Sequence, residues 1–171
     1  MLRTFITSFL LFLFVSAYSQ TVVDYYPNGN KKHEGFYLNN LASGHWTFWF
    51  ENGNKQAEGS YINGLRSGKW TYYHINGKIK EEGNLTNDLQ NGEWTYWHEN
   101  GQKRAIGSLK NNLQDGHWIY WYDNGKKERE GDWSYLDMEK HSKWSYWNRE
   151  GKLVKEEWFD NNGKLLKTVN Y

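Results

Sequence analysis

The chain repeats itself every 24 residues, and that period constrains its fold more than any other feature. Each unit carries aromatic-x-Asn-Gly, a glycine six residues later, then a leucine, a further glycine and Trp-x-x-aromatic. The anchors are Gly29, Gly53, Gly77, Gly101 and Gly125, then Gly35, Gly59, Gly83, Gly107 and Gly131, and finally Trp46, Trp70, Trp94 and Trp118. Identical spacing at several independent positions specifies an array of small supersecondary units, each completing its core only against its neighbours. Units begin near residues 24, 50, 74, 98, 122 and 148, the last an incomplete cap, and together they fill nearly all of residues 20–171.

Each unit holds two turn signals, an Asn-Gly pair such as Asn76-Gly77 and a polar bend such as Asn63 to Gly68, so each supplies two strands. Asn-Gly favours a type I′ turn, in which both central residues take positive φ and the twist suits the flanking strands. Centring a turn on Asn76 and Gly77 pairs Ile75 with Lys78, Tyr72 with Glu81 and Trp70 with Gly83. Centring the bend between Leu65 and Arg66 pairs Tyr61 with Trp70 and Gly59 with Tyr72. Both registers put Gly59, Tyr61, Trp70, Tyr72, Gly83 and Leu85 on one face, as in an all-β antiparallel meander.

On this first face each repeat glycine lies between large rings, and a flat ring covers its missing side chain. A β-branched residue at Gly83 is therefore expected to displace the Trp70 ring. The composition, with 11 Trp and 17 Gly, fits a chain that buries aromatic area over glycine. Leu41, Leu65, Leu89, Leu113 and Leu136 recur in the bends and are expected to tuck under the first face. The array degrades near its end, where the stretch from Leu136 to Trp144 is longer, Ser142 replaces a glycine, and the unit after Gly151 lacks a second strand with Trp. Such irregular units blunt a sheet edge.

Alternation sends Trp49, Tyr73, Trp97, Trp121 and Trp147 to the second face, beside Thr47, Thr71, Thr95, Ile119 and Ser145 and near Glu58, Lys80, Glu82 and Arg104. This aromatic column is the candidate binding strip. Exposed rings flanked by charge are the composition of protein interfaces and of sugar-stacking platforms. The same rings could instead stack on Thr and on the stems of Lys and Arg to stiffen a thin sheet.

The opening residues read as a secretory signal peptide over 1–19. One basic residue, Arg3, precedes a short apolar run from Phe5 to Val15, and Ala17 and Ser19 suit cleavage after Ser19. An uncleaved anchor is the competing reading. The expectation is export to the periplasm, cell surface or medium. A lipoprotein is excluded, because the chain has no Cys, and the same absence removes disulfides, thiolate nucleophiles and Cys-ligated zinc.

Net charge is +1, so neither nucleic acid nor an anionic lipid surface is an expected partner. His45 and His117 share one repeat position, and His74 and His98 another. Members of each pair stand on the order of 10 Å apart or farther, at least twice the strand spacing, too far to chelate one ion at about 2 Å per ligand. Adjacent carboxylates at Glu81-Glu82 and Glu156-Glu157 point to opposite faces. No phosphate-cradling loop or nucleophile-base order is present, and neither metal, cofactor nor catalysis is expected.

With Tyr-x-Asn-Gly, a following glycine and Gly-x-Trp-x-x-aromatic in place, the units at 48–72, 72–96 and 96–120 resemble MORN repeats of the bacterial variant type. The resemblance covers roughly residues 24–166. It implies an elongated, single-layer, twisted antiparallel sheet of about five to six hairpins. Members of this variant family are often labelled antitoxins, a role that export would oppose. Three functions follow as expectations: a non-catalytic scaffold for a protein partner, a carbohydrate-binding surface module using the aromatic column, and an antitoxin-like neutralising protein.

Overall fold

The computed structural model describes residues 18–171; the expected signal segment lies outside them except for Tyr18 and Ser19. Among the described residues there is no helix. The strands are β1 Ser19–Tyr25, β2 Lys31–Leu38, β3 Leu41–Trp49, β4 Lys55–Ile62, β5 Leu65–Tyr73, β6 Ile79–Thr86, β7 Leu89–Trp97, β8 Lys103–Lys110, β9 Leu113–Trp121, β10 Lys127–Ser134, β11 Glu139–Trp147, β12 Leu153–Phe159 and β13 Leu165–Asn170. All lie in a single antiparallel sheet in chain order. The fold is the expected all-β meander of hairpin repeats.

The two turns of a unit differ from expectation in chemistry. At Asn76-Gly77 only the glycine has positive φ, 83°. Gly77 N–H donates to the His74 carbonyl at 2.9 Å and His74 N–H to the Lys78 carbonyl at 2.8 Å, the pattern of a type I turn closed by a glycine bulge. Asn76 is retained for its side chain. Its Oδ1 accepts from Lys78 N–H at 3.0 Å, and its Nδ2 donates to the Glu99 carbonyl in the next unit's turn at 2.8 Å. Asn28, Asn52, Asn100 and Asn124 make the same bond to Glu51, Ile75, Asp123 and Arg149, so a column of amides stitches the turns together.

The type I′ turn sits instead in the polar bend, where Asn63 and Gly64 have φ of 51° and 83°. Trp70 opposes Gly83 and Tyr72 opposes Glu81 as the sequence predicts, but the expected Ile75–Lys78 pair gives way to the bulged turn, and Lys80 is left unpaired. The bend register is Tyr61 with Arg66 and Ala57 with Tyr72, not Tyr61 with Trp70, because a bulge around Gly68 places extra residues on β5. The displacement is an even number of residues, so the first-face assignment survives. The bend leucines do change role. Leu65 pairs with Ile62 on the second face, and Leu41 at 47%, Leu65 at 41% and Leu136 at 79% exposure are not tucked under anything.

Tryptophan lying on glycine builds the core. The Trp94 indole lies flat across Gly83, so close that a β-carbon there would penetrate the ring; Trp46, Trp70, Trp118 and Trp144 cover Gly35, Gly59, Gly107 and Gly131 in the same way. The ring over Gly83 is thus that of Trp94 rather than the expected Trp70. The bulge on β7 opens the ladder beside Asn84, and the Asn84 carbonyl takes the Trp94 Nε1–H at 3.2 Å, drawing the indole back over the preceding strand. Crossing a glycine strand lets each indole reach the tyrosine beyond it. Trp70, Tyr72, Trp94, Tyr96, Trp118, Tyr120, Trp144 and Tyr146 follow one another with centroids 5.8 to 6.5 Å apart. Four of these indoles, Trp70, Trp94, Trp118 and Trp144, are at most 2% exposed.

The exceptions follow the same logic. Glu157 opposes Trp144, where the other units have glycine, and β13 carries no tryptophan that needs the space. It accepts from the Tyr146 hydroxyl at 2.6 Å and Lys155 Nζ at 2.9 Å, closing the ladder with a charge. Ser142 occupies the bulge position of Gly44, Gly68, Gly92 and Gly116 with φ of 59°, a conformation costing a non-glycine residue roughly 1–2 kcal/mol.

Two stability changes of opposite sign follow. Gly83→Val should lower the unfolding free energy by about 3 kcal/mol, combining overpacking with loss of the indole hydrogen bond. Ser142→Gly should raise it by about 1 kcal/mol. Urea unfolding followed by tryptophan fluorescence checks both, and an unchanged midpoint for Gly83→Val would remove the basis of the core described above.

Candidate functional site

The five aromatic residues of the candidate strip, Trp49, Tyr73, Trp97, Trp121 and Trp147, end β3, β5, β7, β9 and β11, and each is half-buried. Two strand spacings, about 10 Å, separate each from the next. They therefore rest on what lies between them rather than on one another, unlike the first-face ladder.

At both ends of the array an ion pair lies beside a ring of the strip. Lys31 bonds Glu34 at 2.6 Å and stands 5.4 Å from the Trp49 ring centre; Lys127 bonds Glu130 at 2.7 Å and stands 4.8 Å from that of Trp147. Lys55 bonds Glu58 at 2.7 Å, and Glu58 accepts the Tyr73 hydroxyl. Residues three apart in a strand normally face opposite ways. Here the unpaired residue after each lysine, such as Gln56 between Lys55 and Ala57, restores them to one face. A shallow depression of about 330 Å3 surrounds Trp49, lined by Thr21, Glu34, Phe36, His45, Thr47 and Lys55.

The middle of the strip breaks this pattern. Ile79 stands where Lys31, Lys55, Lys103 and Lys127 stand in other units, and Ile106 replaces the glutamate of positions 34, 58, 82 and 130. Ile119 replaces the Thr of positions 47, 71 and 95 and pairs directly with Ile106. Trp97 and Trp121 thus border a half-buried aliphatic pair with no ion pair between them. Ile106 is a site residue that the motif anchors did not reveal; its departure from the glutamate consensus is the signal that carries it. Arg104, expected on this face, is corrected to the first. It is the unpaired residue between Lys103 and Ala105, and its guanidinium lies 5.3 Å from the Tyr96 ring.

The histidines act as connectors. The Nε2 atoms of His74 and His98 lie 3.0 and 2.8 Å from the carbonyls of Trp97 and Trp121 in the next unit, where Tyr26 and Tyr122 donate hydroxyls to Trp49 and Trp147. His117 Nδ1 is 2.9 Å from Asp132, and His45 Nε2 is 3.9 Å from Glu58. Among the described residues no group of three His, Asp or Glu side chains is placed to hold a metal ion.

Burial works against the charged form of Glu58, but hydrogen bonds from Lys55 and Tyr73 outweigh it and hold the carboxyl below the ordinary 4.5. Burial, followed by the bond to Glu58, pushes the Tyr73 hydroxyl well above 10.0.

The family model described as MORN repeat variant matches residues 21–39, 42–63, 66–87, 90–111, 114–134 and 154–171. The chain belongs to the MORN repeat variant family. The stretch 135–153, which the matches skip, holds the long bend and Ser142. No curated protein matches the sequence. Among solved structures, one titled as the crystal structure of a GtfA/B complex bound to UDP and GlcNAc is 15% identical over 72% of this chain and 26% of that chain, with a TM-score of 0.25. The chain thus spans about a quarter of that protein's length, and so low a score carries no argument about either fold or function.

Glu58 contributes its stability fully above 4.5 and loses it as pH falls through the lower folded value; Tyr73 contributes fully below 10.0 and loses it as pH rises. Stability should therefore plateau between about pH 5 and pH 9. Glu58→Gln should flatten the acid limb and Tyr73→Phe the alkaline limb, measured as unfolding midpoint against pH. An acid limb as steep in Glu58→Gln as in the parent would show that the pair does not set it.

Proposed function

We propose that this MORN repeat protein is an exported, non-catalytic scaffold that holds a partner protein on its second face, centred on Trp97, Ile106, Ile119 and Trp121. The replacement of the repeat's glutamate and threonine by Ile106 and Ile119, side by side between two tryptophans, carries this reading. The half-buried isoleucine pair adds to the sheet, but the other units hold the same fold with glutamate and threonine at these positions. Aromatic and aliphatic area ringed by charge is what the core of a protein interface requires. A sugar platform would need polar groups beside the rings to bond hydroxyls; Lys103 and Lys127 pair with Trp97 and Trp121 at the rim, but the area between the rings is aliphatic. The sheet is rigid enough to present the patch, since the five Asn-Gly turns from Asn28 to Asn124 are each bonded to the next turn through asparagine. Export rests on the composition of residues 1–20, and a non-catalytic role on the shallowness of the depressions and the use of His74, His98 and Glu58 in structural bonds.

The test restores the repeat consensus. Tagged protein carrying Ile106→Glu and Ile119→Thr should fold as the parent does, since other units hold those residues. It should lose a partner protein that the parent captures from envelope and medium fractions in the presence of excess polysaccharide. Retention of the partner by this variant would remove the second face from the account. Recovery of glycan, or release of the bait by polysaccharide, would establish the carbohydrate reading. Detection of the untagged protein only in the cytosol would overturn export and return the antitoxin role.

A further inference from the structure

A glutamate in the middle of the second face holds the basic side chains beside it in each unit but one. Glu34 bonds Lys31 at 2.6 Å, Glu58 bonds Lys55 at 2.7 Å with His45 at 3.9 Å, and Glu130 bonds Lys127 at 2.7 Å with His117 at 3.8 Å. Glu82, whose lysine is replaced by Ile79, bonds Lys69 at 2.9 Å, and Glu156 bonds Lys143 at 2.8 Å. In the remaining unit Ile106 takes the glutamate's place, Lys103 is kept, and Glu93 stands where His45, Lys69, His117 and Lys143 stand. Lys103 and Glu93 are both exposed, and among the described residues neither belongs to an ion pair.

These substitutions leave charges of opposite sign on either side of an apolar centre. Lys103 opposes Trp97 on β7, Glu93 lies four residues before Trp97 on the same strand, and Thr95, level with Ile106, lies midway. Strand residues rise about 3.3 Å each, so the lysine and the glutamate stand about 13 Å apart with the isoleucines between their levels. In an extended segment, side chains at every second residue share a face, and the first and fifth span that same distance. Trp97 and Trp121 are about 10 Å apart, which favours an extended chain over a helix about 10 to 12 Å across. The fold needs neither charge, since the preceding repeat has Ile79 in place of the lysine and Lys69 in place of the glutamate.

We propose that the patch takes an extended segment of the partner protein carrying an acidic and a basic side chain four residues apart and an apolar one midway. The acid meets Lys103, the apolar side chain lies on Ile106 and Ile119, and the base meets Glu93. This rests on the reading of the patch as a protein-binding surface and specifies what the partner presents there. The acid has an internal precedent, since Lys31, Lys55 and Lys127 each bind a carboxylate at the place where Lys103 has none. The base follows from the sign of position 93, which is acidic in this unit and basic in its counterparts at 45, 69, 117 and 143. Ion pairs at the rim of an interface add little affinity, but they select among partners and fix register.

The test is a titration of the purified protein with acetyl-Glu-Thr-Leu-Thr-Lys-amide, followed by the indole Nε1–H resonances of Trp97 and Trp121. A saturable shift in the millimolar range is expected. Replacing the peptide's glutamate or its lysine with glutamine should each weaken binding about three- to fivefold, as exposed ion pairs allow. Lys103→Ile, which copies Ile79, should lose the preference for glutamate at one end and keep that for lysine at the other. Glu93→Lys, which copies Lys69, should instead favour acetyl-Glu-Thr-Leu-Thr-Glu-amide. Equal binding of acetyl-Gln-Thr-Leu-Thr-Gln-amide, or charge preferences unchanged in both variants, would overturn this inference and leave the apolar patch standing. No saturable shift at Trp97 or Trp121 with any of these peptides would remove the patch reading together with it. Tighter binding of octanoate, a carboxylate on an alkyl chain, would overturn the peptide segment in favour of a fatty acid.

Discussion

A tryptophan laid flat on a glycine of the preceding strand is the contact on which this molecule depends. A single-layer sheet has no second layer to bury its face, so burial must come from rings lying along the sheet. Glycine at positions 35, 59, 83, 107 and 131 lets the indole descend to the backbone, and the bulge beside each exposes a carbonyl that fixes it. The indole then spans a strand and touches the preceding unit's aromatic ring, Phe48 for Trp70 and tyrosine thereafter, which turns separate hairpins into a continuous ladder. Where the next strand carries no tryptophan, the constraint vanishes and Glu157 takes the glycine's place.

Because the ladder and the asparagine column hold the array together, the outward residues are free to diverge. The second face shows this divergence most clearly, with ion pairs beside Trp49 and Trp147 and an aliphatic pair between Trp97 and Trp121. The first face shows it at one end, where Ala42, Phe48 and Gly64 stand in place of Arg66, Tyr72 and Asp88. Both departures concern residues the ladder does not need. In a repeat protein, a local break in the consensus that keeps the packing anchors intact is where binding chemistry can be written.

Faces were legible in the sequence, while contacts across them were less so. Spacing between Gly59, Trp70 and Gly83 gave the strand count and the sidedness, since strand side chains alternate with a period of two and an even shift leaves them in place. Turn type was not legible, because Asn-Gly at 76–77 serves a side-chain bond to Glu99 that no local rule contains, while Asn63-Gly64 takes the positive φ. The bulge at Gly68 was equally hidden: its glycine looks like any motif anchor, yet it moves the bend register and sends the leucines outward. The unpaired residue after each lysine likewise sent Arg104 to the first face. Ile106 was visible only as a deviation, which a search for recurring anchors overlooks.

Hydrogen exchange at the indole nitrogens tests the central contact directly. Trp46, Trp70, Trp94, Trp118 and Trp144 each donate Nε1–H to the carbonyl of the residue after a repeat glycine, at 3.0 to 3.2 Å, beneath a ring that excludes water. Their indole protons should exchange only when the array opens, orders of magnitude more slowly than those of Trp49, Trp97, Trp121 and Trp147 on the second face. Uniformly fast exchange across all of these indoles would contradict the account, since it would mean that the rings do not seal the sheet.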